Sequence, residues 1–277
     1  MLQPPAGARP PGRHVITQTP LRQFQIEKAR AEIYPSKLEA SCAAAQEAAA
    51  ILRRATSTRG RARVIVGTGA SQDDLIRALI QIPGPDWAAM EIFHMDEYVG
   101  MPVTHPASFR RWLNTHLVDF VHPGKVQYLA GDAPDVDREC KRYGELLRSA
   151  PIDLCFIGFG ENGHIAFNDL HVADFDDPLA VKRVDLDERC RRQQLGEGQF
   201  PTLEAVPREA ITLTCPVLLS AEYLIGCVPE RRKAEAVRNA LEGPITTRCP
   251  ASRVRTHPHA ALFFDVESAS LLSQGSP

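Results

Sequence analysis

The stretch "IDLCFIGFGENGHIAFND" (residues 152–169) joins a short apolar run to a glycine-rich turn that contains one histidine. The run at residues 152–158 predicts a buried strand, so the glycines begin where that strand ends. In open α/β sheets, ligands bind beyond the carboxyl ends of the strands. The turn is therefore a candidate site as well as a candidate solvated loop.

Strands and helices alternate on both sides of this stretch. Further strands are predicted at residues 62–67, 90–100, 222–228 and 260–266, the second of them ending near Asp96. Helices are predicted from the cap Ser36 to about Arg54, and at residues 23–33, 73–82, 106–121, 135–150 and 229–243, with Asp135 as a second cap. The alternation predicts a three-layer α/β/α fold with a mainly parallel, Rossmann-like sheet and helices on both faces.

Composition limits the classes of partner. The 277 residues are 44% hydrophobic and carry a net charge of −2, so we expect neither nucleic acid nor membrane as a partner. Seven cysteines without C-x-x-C spacing suit reduced thiols and predict a cytoplasmic protein. Residues 1–20, rich in Pro and Gly, are predicted to form a flexible tail, and residues 21–277 a single domain.

Two segments are typical of anion binding. In "VIVGTGASQDDL" (residues 64–75), the backbone amides of Thr68, Gly69, Ala70 and Ser71 would lie at a helix N-terminus, where the helix dipole favours phosphate. The spacing matches neither the dinucleotide fingerprint nor a P-loop, and a plain tight turn is the alternative interpretation. Lys233, in the first turns of a later helix, opposes the dipole there. A phosphate counter-charge explains that position better than stability does.

Acid–base chemistry is indicated at two strand ends. Asp96 and Glu97 lie where a predicted strand ends, so one could enter a pocket and act as a base on carbon while the other faces solvent or caps a helix. A solvated turn is the alternative interpretation. A metal site made of His94, Asp96 and His105 lacks a recognised ligand spacing, and no cofactor is predicted. In the glycine-rich turn, Gly160 and its neighbours allow close approach to a ligand. His164 can exchange a proton near neutral pH, and Asp169 can orient its imidazole.

The order of these motifs resembles one enzyme family. "TGAS", "MDEYVG...HPASF", "GFGENGHIAFND", "VPREAITLT" and "RRKAEAVRNALEG" follow one another as in the glucosamine-6-phosphate deaminase (glucosamine/galactosamine-6-phosphate isomerase) family, within the fold group that also holds 6-phosphogluconolactonases. The likeness spans roughly residues 61–266. It implies a cofactor-independent enzyme that converts an amino-sugar 6-phosphate, with glucosamine 6-phosphate as the first choice, to fructose 6-phosphate and ammonia.

The resemblance also assigns roles. Asp96 matches the base that moves a proton between C2 and C1, and His164 matches the residue that opens the sugar ring. Asn162 and Asp169 match the partners of that histidine. The phosphate site is matched by Lys233 together with the loop of Thr68, Gly69, Ala70 and Ser71.

Several departures mark the chain as a divergent member. Asn162 and Asp169 stand where the family often has Asp and Glu, Leu170 replaces a proline, and Ala70 replaces a small hydroxyl residue. Gln194 stands where the family has a phosphate-binding arginine. Arg191 and Arg192 are candidates to compensate for it. Otherwise the pocket is suited to another sugar phosphate.

Two other functions stay open. A 6-phosphogluconolactonase-type hydrolase would use the same phosphate loop, with His164 activating water, although "MDEY" favours proton transfer on carbon. A non-catalytic sugar-phosphate sensor is expected to carry an attached DNA-binding module. Because the first sixty residues contain no clear helix-turn-helix, this function ranks last. Gluco or galacto configuration and a homo-oligomeric state are left open.

Overall fold

The computed structural model describes residues 19–273, so most of the predicted tail (residues 1–18) and residues 274–277 lie outside the described residues. The single domain over residues 21–277 stays a prediction. The strands are β1 (Arg22–Ile26), β2 (Ala29–Tyr34), β3 (Ala62–Val66), β4 (Met90–His94), β5 (Asp96–Tyr98), β6 (Lys125–Gln127), β7 (Leu154–Ile157), β8 (Val181–Asp185), β9 (Glu209–Leu213), β10 (Tyr223–Cys227) and β11 (Ala260–Asp265). The helices are α1 (Lys37–Arg59), α2 (Asp73–Gln81), α3 (Phe109–Leu113), α4 (Asp119–Val121), α5 (Val136–Arg148), α6 (Glu188–Gly196), α7 (Cys215–Leu218) and α8 (Ala234–Glu242).

The strands form two sheets. The larger sheet has the order β1-β2-β11-β10-β7-β3-β4-β6 and is parallel except for the β1–β2 pair. From β3 the chain adds strands in one direction, and from β7 it adds them in the other. Ligand crevices form where a strand order reverses in this way. The glycine-rich segments after β3 and β7 therefore lie side by side at the carboxyl edge of the sheet.

Both faces of the large sheet are covered. On one face α1 and α2 pack against β3, β10 and β11, in a cluster that includes Ala48, Leu75 and Phe263. On the other face α5, α8 and the small antiparallel sheet β5-β9-β8 contribute Tyr143, Val237 and others. The predicted three-layer α/β/α fold is therefore confirmed.

The predicted helix caps are also confirmed. Ser36 accepts a hydrogen bond from the Glu39 amide (3.3 Å) and donates its hydroxyl to the Glu39 carboxylate (2.8 Å). Asp135 accepts from the Arg138 amide at 2.9 Å. The first helix, α1, continues past the predicted Arg54 to Arg59. Despite the length of α1, no helix in residues 19–273 is both long and apolar enough to cross a membrane.

The predicted helix at residues 23–33 is wrong, because this segment forms the β1–β2 hairpin. Arg22 pairs with Ile33 and Ile26 with Ala29. Side chains along β1 alternate between half-buried and exposed, which is the two-residue period of a strand. In addition, β2 pairs in parallel with β11, so a distant part of the chain completes its backbone hydrogen bonds. This tertiary pairing outweighs the local helical pattern.

The strand predicted at residues 90–100 is divided in two. The large sheet keeps β4, which ends at His94, whereas Asp96 begins β5 in the small sheet. At the break, Met95 accepts a hydrogen bond from the Leu213 amide (2.9 Å), next to the pairing of β5 with β9. The chain thus leaves the large sheet at its carboxyl edge, and Asp96 lies where the two sheets meet.

Candidate active site

A cleft opens at the carboxyl edge of the large sheet, between the loops that follow β3 and β7. Its lining includes all but two of the predicted site residues: Thr68, Gly69, Ala70, Ser71, Asp96, Gly160, His164, Gln194 and Lys233. The other two, Asn162 and Asp169, lie behind the imidazole of His164. Residues more than 160 positions apart in the chain are therefore brought to one cavity.

His164 is held by its two predicted partners. Its Nδ1 lies 3.0 Å from Oδ1 of Asp169, and the Asn162 side-chain amide donates to the same oxygen at 2.6 Å. The Asn162 side-chain oxygen, Oδ1, accepts a hydrogen bond from the His164 backbone amide at 3.0 Å. Burial opposes ionisation of Asp169, but the imidazole hydrogen bond and charge outweigh it and hold the pKa of Asp169 well below its usual range. An ionised Asp169 accepts a hydrogen bond from the Nδ1–H group of His164, which leaves Nε2 for chemistry in the cleft.

Gly160 makes room for that imidazole. A Cβ atom at this position would lie 2.2 Å from both Cε1 and Nε2 of His164. The Gly160 amide also donates to the His164 carbonyl at 2.9 Å, which closes the turn. Gly160 is therefore required by the close approach of the ring, and this constraint sets where Nε2 points.

Asp96 presents a buried carboxyl group to the same cleft. Burial, together with the negative charges of Glu97 and Glu197, raises the pKa of Asp96 to about 8. The Thr68 hydroxyl acts in the opposite direction. A carboxyl group with a pKa near neutral can take up and return a proton during one catalytic cycle.

The neighbouring Glu97 has a structural role instead. Its buried carboxylate accepts from the backbone amides of Phe109 (3.2 Å) and Arg110 (3.0 Å) at the start of α3, and from the Ser108 hydroxyl (2.7 Å). Its other partners are the Tyr98 amide and the Arg110 guanidinium. The expectation that one acid enters a pocket while the other caps a helix thus matches the geometry, although Glu97 is buried.

Glu97→Gln is expected to reduce the free energy of unfolding by about 2–4 kcal/mol, because the amide places an NH2 group against several donors and removes the negative charge that they face, although Arg110 keeps its ion pair with Asp132. Chemical denaturation near neutral pH measures this. Asp96→Asn, the same carboxylate-to-amide change one residue away, is the matched control and should not destabilise the protein. Equal destabilisation by both changes would contradict the capping role of Glu97.

The metal site suggested for His94, Asp96 and His105 is not formed. His94 is fully buried; its Nδ1 donates to the Asp96 carbonyl (2.9 Å) and its Nε2 accepts from the Leu129 amide (2.9 Å). Burial lowers the pKa of His94 to about 3, so the ring is neutral. Across residues 19–273 no group of three or more His, Cys, Asp or Glu side chains could hold a metal ion.

The loop after β3 and Lys233 also line this cleft, and we call the part that they form its anion end. A short 3-10 turn (Ala70–Gln72) follows Gly69 and leads directly into α2, so a helix N-terminus faces this part of the cavity as predicted. Lys233 is buried at the end of the 3-10 turn that precedes α8. Burial and the neighbouring charge of Arg232 lower the pKa of Lys233. This end of the cleft is suited to an anionic group.

Gln194 occupies the cleft without a compensating arginine. Its side-chain oxygen accepts from the Tyr98 hydroxyl at 2.6 Å. Arg191 donates to the carbonyl groups of Leu203 and Val206, and Arg192 pairs with Glu188. Neither arginine lines the cleft. The suggestion that one of them compensates for Gln194 is therefore wrong, since both are held elsewhere.

Sequence reasoning missed three polar residues of the cleft, Gln72, Gln193 and Glu197. Gln72 ends the turn after Gly69, whereas Gln193 and Glu197 belong to the segment at α6, which the sequence analysis did not predict as a helix. The signal that was available is the acid enclosed by glycines in "LGEG" (residues 195–198).

Comparison with known proteins places this cleft in context. Residues 35–168 match the family model described as glucosamine-6-phosphate isomerases/6-phosphogluconolactonase. The glucosamine-6-phosphate deaminase of Exiguobacterium sibiricum is 37% identical over 180 residues, covering 65% of this chain and 69% of that protein. The protein of the same name from Lactobacillus delbrueckii subsp. bulgaricus is 33% identical over 208 residues, which cover 75% of this chain and 86% of that protein.

Solved structures agree with these matches. A monomeric glucosamine-6-phosphate deaminase superposes with a TM-score of 0.80 at 28% identity, covering 87% of this chain and 99% of that one. A 6-phosphogluconolactonase from Shewanella baltica has a TM-score of 0.71 at 19% identity, with coverage of 87% and 99%, and so shares the fold. With its motifs, fold and cleft taken together, the chain belongs to the glucosamine-6-phosphate isomerase/6-phosphogluconolactonase family, as a divergent member.

Proposed function

We propose that the protein is an aldose–ketose isomerase and deaminase that converts glucosamine 6-phosphate and water to fructose 6-phosphate and ammonia. The observation that carries the proposal is the joint presence in one cleft of the buried Asp96 carboxyl group and the His164–Asp169 pair. Relatives at 33–37% identity bear the name glucosamine-6-phosphate deaminase, which supports this substrate.

The proposed chemistry assigns one proton transfer to each group. His164 Nε2 takes the proton of the C1 hydroxyl and delivers a proton to the ring oxygen as the C1–O5 bond breaks, which opens the pyranose and leaves a carbonyl at C1. That carbonyl acidifies the C2 proton, and ionised Asp96 removes it to give an enolamine. Return of the proton to C1 gives an imine at C2, and water adds to it and releases ammonia. Lys233 and the Thr68–Ser71 loop hold the phosphate, so that the reacting carbons stay near Asp96.

Asn162 and Asp169 act as positioning residues in this scheme. They fix the tautomer of His164 and stabilise its charged form, as the hydrogen bonds to Asp169 Oδ1 allow. The same cleft in a lactonase would need only activated water, whereas the proposed reaction gives a proton transfer both to the buried Asp96 carboxyl group and to His164.

Turnover of three substrates tests the proposal. Purified protein is incubated separately with glucosamine 6-phosphate, galactosamine 6-phosphate and 6-phosphogluconolactone, and ammonia and the ketose phosphate are quantified. We expect ammonia and fructose 6-phosphate in equal amounts from glucosamine 6-phosphate. If the protein converted only galactosamine 6-phosphate, that compound would replace glucosamine 6-phosphate as the proposed substrate. Hydrolysis of the lactone without ammonia release from either amino sugar would refute it.

A further inference from the structure

Glu197 places a carboxylate in the part of the cleft that is suited to an anion. It lines the same cavity as Gly69 and Lys233, and its Oε2 lies 4.0 Å from the position that a Cβ atom would take at Gly69. Burial raises the pKa of Glu197, while the charges of Lys233, Arg232 and His164 and a hydrogen bond from Gln193 oppose that rise. The Glu197 carboxylate thus shares the cleft with Lys233 and lies close to the loop at Gly69.

The charge balance there is close to neutral when Glu197 is ionised. Among the described residues that line the cleft, Lys233 is the one lysine or arginine. Arg232 is already paired with Glu230 (2.7 Å) and lies 3.4 Å from Glu161. The Asp96 carboxyl group and the Tyr98 hydroxyl face Glu197 from β5, and its charge raises the pKa of both. A dianionic ligand group would therefore meet an existing negative charge beside its main cation.

The surroundings of Glu197 leave space beside its backbone. Its neighbour Gln193 lines the same cleft, and the Gln193 side-chain oxygen accepts from the Glu161 backbone amide at 3.1 Å. Glu197 follows the last residue of α6 and lies between Gly196 and Gly198. Gly198 has a φ of +79°, and a Cβ atom at either glycine would meet nothing within 4 Å. The two glycines therefore add no side chain to the packing around Glu197.

We propose that Glu197 is a specificity-determining residue whose carboxylate occupies the anion end of the cleft and competes with the phosphate of the ligand. Binding of a phosphate beside Lys233 then requires that this carboxylate move away from the phosphate or become protonated. The inference rests on the proposed function, because it takes the distal group of the substrate to be a phosphate. In this proposal, the charge of Glu197 determines how tightly the cleft binds a dianion.

Sulfate is the probe for this competition, since its charge is constant around neutral pH and it needs no turnover. Sulfate affinity is measured by calorimetry for the wild type, Glu197→Gln and Glu188→Gln. Glu188 is the matched control because it lies on α6, is exposed and pairs with Arg192 outside the cleft. We expect Glu197→Gln to bind sulfate at least about tenfold more tightly than the wild type, and Glu188→Gln to match the wild type.

Three outcomes would overturn the inference. Weaker sulfate binding by Glu197→Gln would show that Glu197 contacts the ligand directly. Equal sulfate affinity of all three proteins would show that Glu197 does not affect anion binding. No sulfate binding by any of them would show that the cleft is not an anion site. Melting temperatures confirm that each variant is folded. Since sulfate binding and sugar turnover are measured separately, failure of this inference is distinguished from failure of the proposed function. If turnover is found, Glu197→Gln should lower KM for the sugar phosphate more than it changes kcat.

Discussion

Asp96→Asn is expected to reduce turnover by about 10³-fold while leaving the protein folded, because an amide cannot remove the C2 proton and positioned acid–base groups contribute about 10²–10⁴-fold. The side chain is buried in the cleft and has nearly the same shape in both forms. Steady-state kinetics with glucosamine 6-phosphate provide the measurement. Asp185→Asn, an exposed position on β8 far along the small sheet, is the control and should keep wild-type activity.

The raised pKa of Asp96 also predicts how activity and stability change with pH. The free protein holds a proton on Asp96 up to about pH 8, so kcat/KM should rise as the pH increases through that value. Stability should change in the opposite direction. Between pH 3.8, the ordinary pKa of an aspartate, and about pH 8, the unfolded chain releases the proton that the folded state retains, so this group makes folding less favourable as the pH rises. Asp96→Asn should therefore melt at a higher temperature than the wild type at pH 8, with a difference that shrinks towards pH 4.

Wild-type activity in Asp96→Asn would remove Asp96 from the proton transfer. A kcat/KM that is flat from pH 6 to pH 9 in the wild type would contradict the raised pKa. The stability comparison is independent of the substrate, so it tests the burial of the Asp96 carboxyl group even if the natural substrate is a different sugar phosphate.

Gly160→Ala is expected to reduce turnover by about 10²-fold or more, because the added methyl group cannot coexist with the imidazole of His164 and a small misplacement of a catalytic group has this effect. The clash distance is 2.2 Å, so the ring has to leave its position against Asp169. Gly196→Ala is the matched control, since a Cβ atom there meets nothing within 4 Å and Gly196 does not line this cleft. It should retain activity.

A double-mutant cycle shows whether Gly160 acts through His164. His164→Ala alone should be strongly impaired, and Gly160→Ala added to it should cause little further loss, because the ring that the methyl group displaces is gone. Independent, multiplicative losses would contradict this link. Thermal denaturation distinguishes a displaced imidazole from a turn that has failed to fold.

Much of the candidate site was predictable because its residues follow strand ends. The apolar runs before Gly67 and Gly158 identify β3 and β7, and glycine turns at parallel strand ends converge on one crevice. The pairing of His164 with Asp169 is local in sequence. Asp96 and Glu97 were recognised as candidates, but their division of labour depends on α3, whose amides bind Glu97, and on the break between β4 and β5.

The elements that escaped prediction share a dependence on distant partners. The hairpin at residues 22–34 has a local pattern that also fits a helix, and its pairing with β11 decides the outcome. The short strands β6, β8 and β9 carry weak patterns and are stabilised by pairing with neighbours far along the chain. Segment α6 is polar, and its contribution to the cleft is apparent only after the chain has folded over the sheet.

By itself, the sequence determined the alternation of strands and helices, the two capped helices, the glycine turns and the family, since these depend on periodicity and on residue types at close spacing. The tertiary structure alone decided which charges meet. It gave Asp96 a raised pKa through burial, held Arg191 and Arg192 outside the cleft, and brought Glu197 into the same cleft as Lys233. Electrostatic interactions depend on distance and burial, and neither quantity can be obtained from positions along a chain before it is folded.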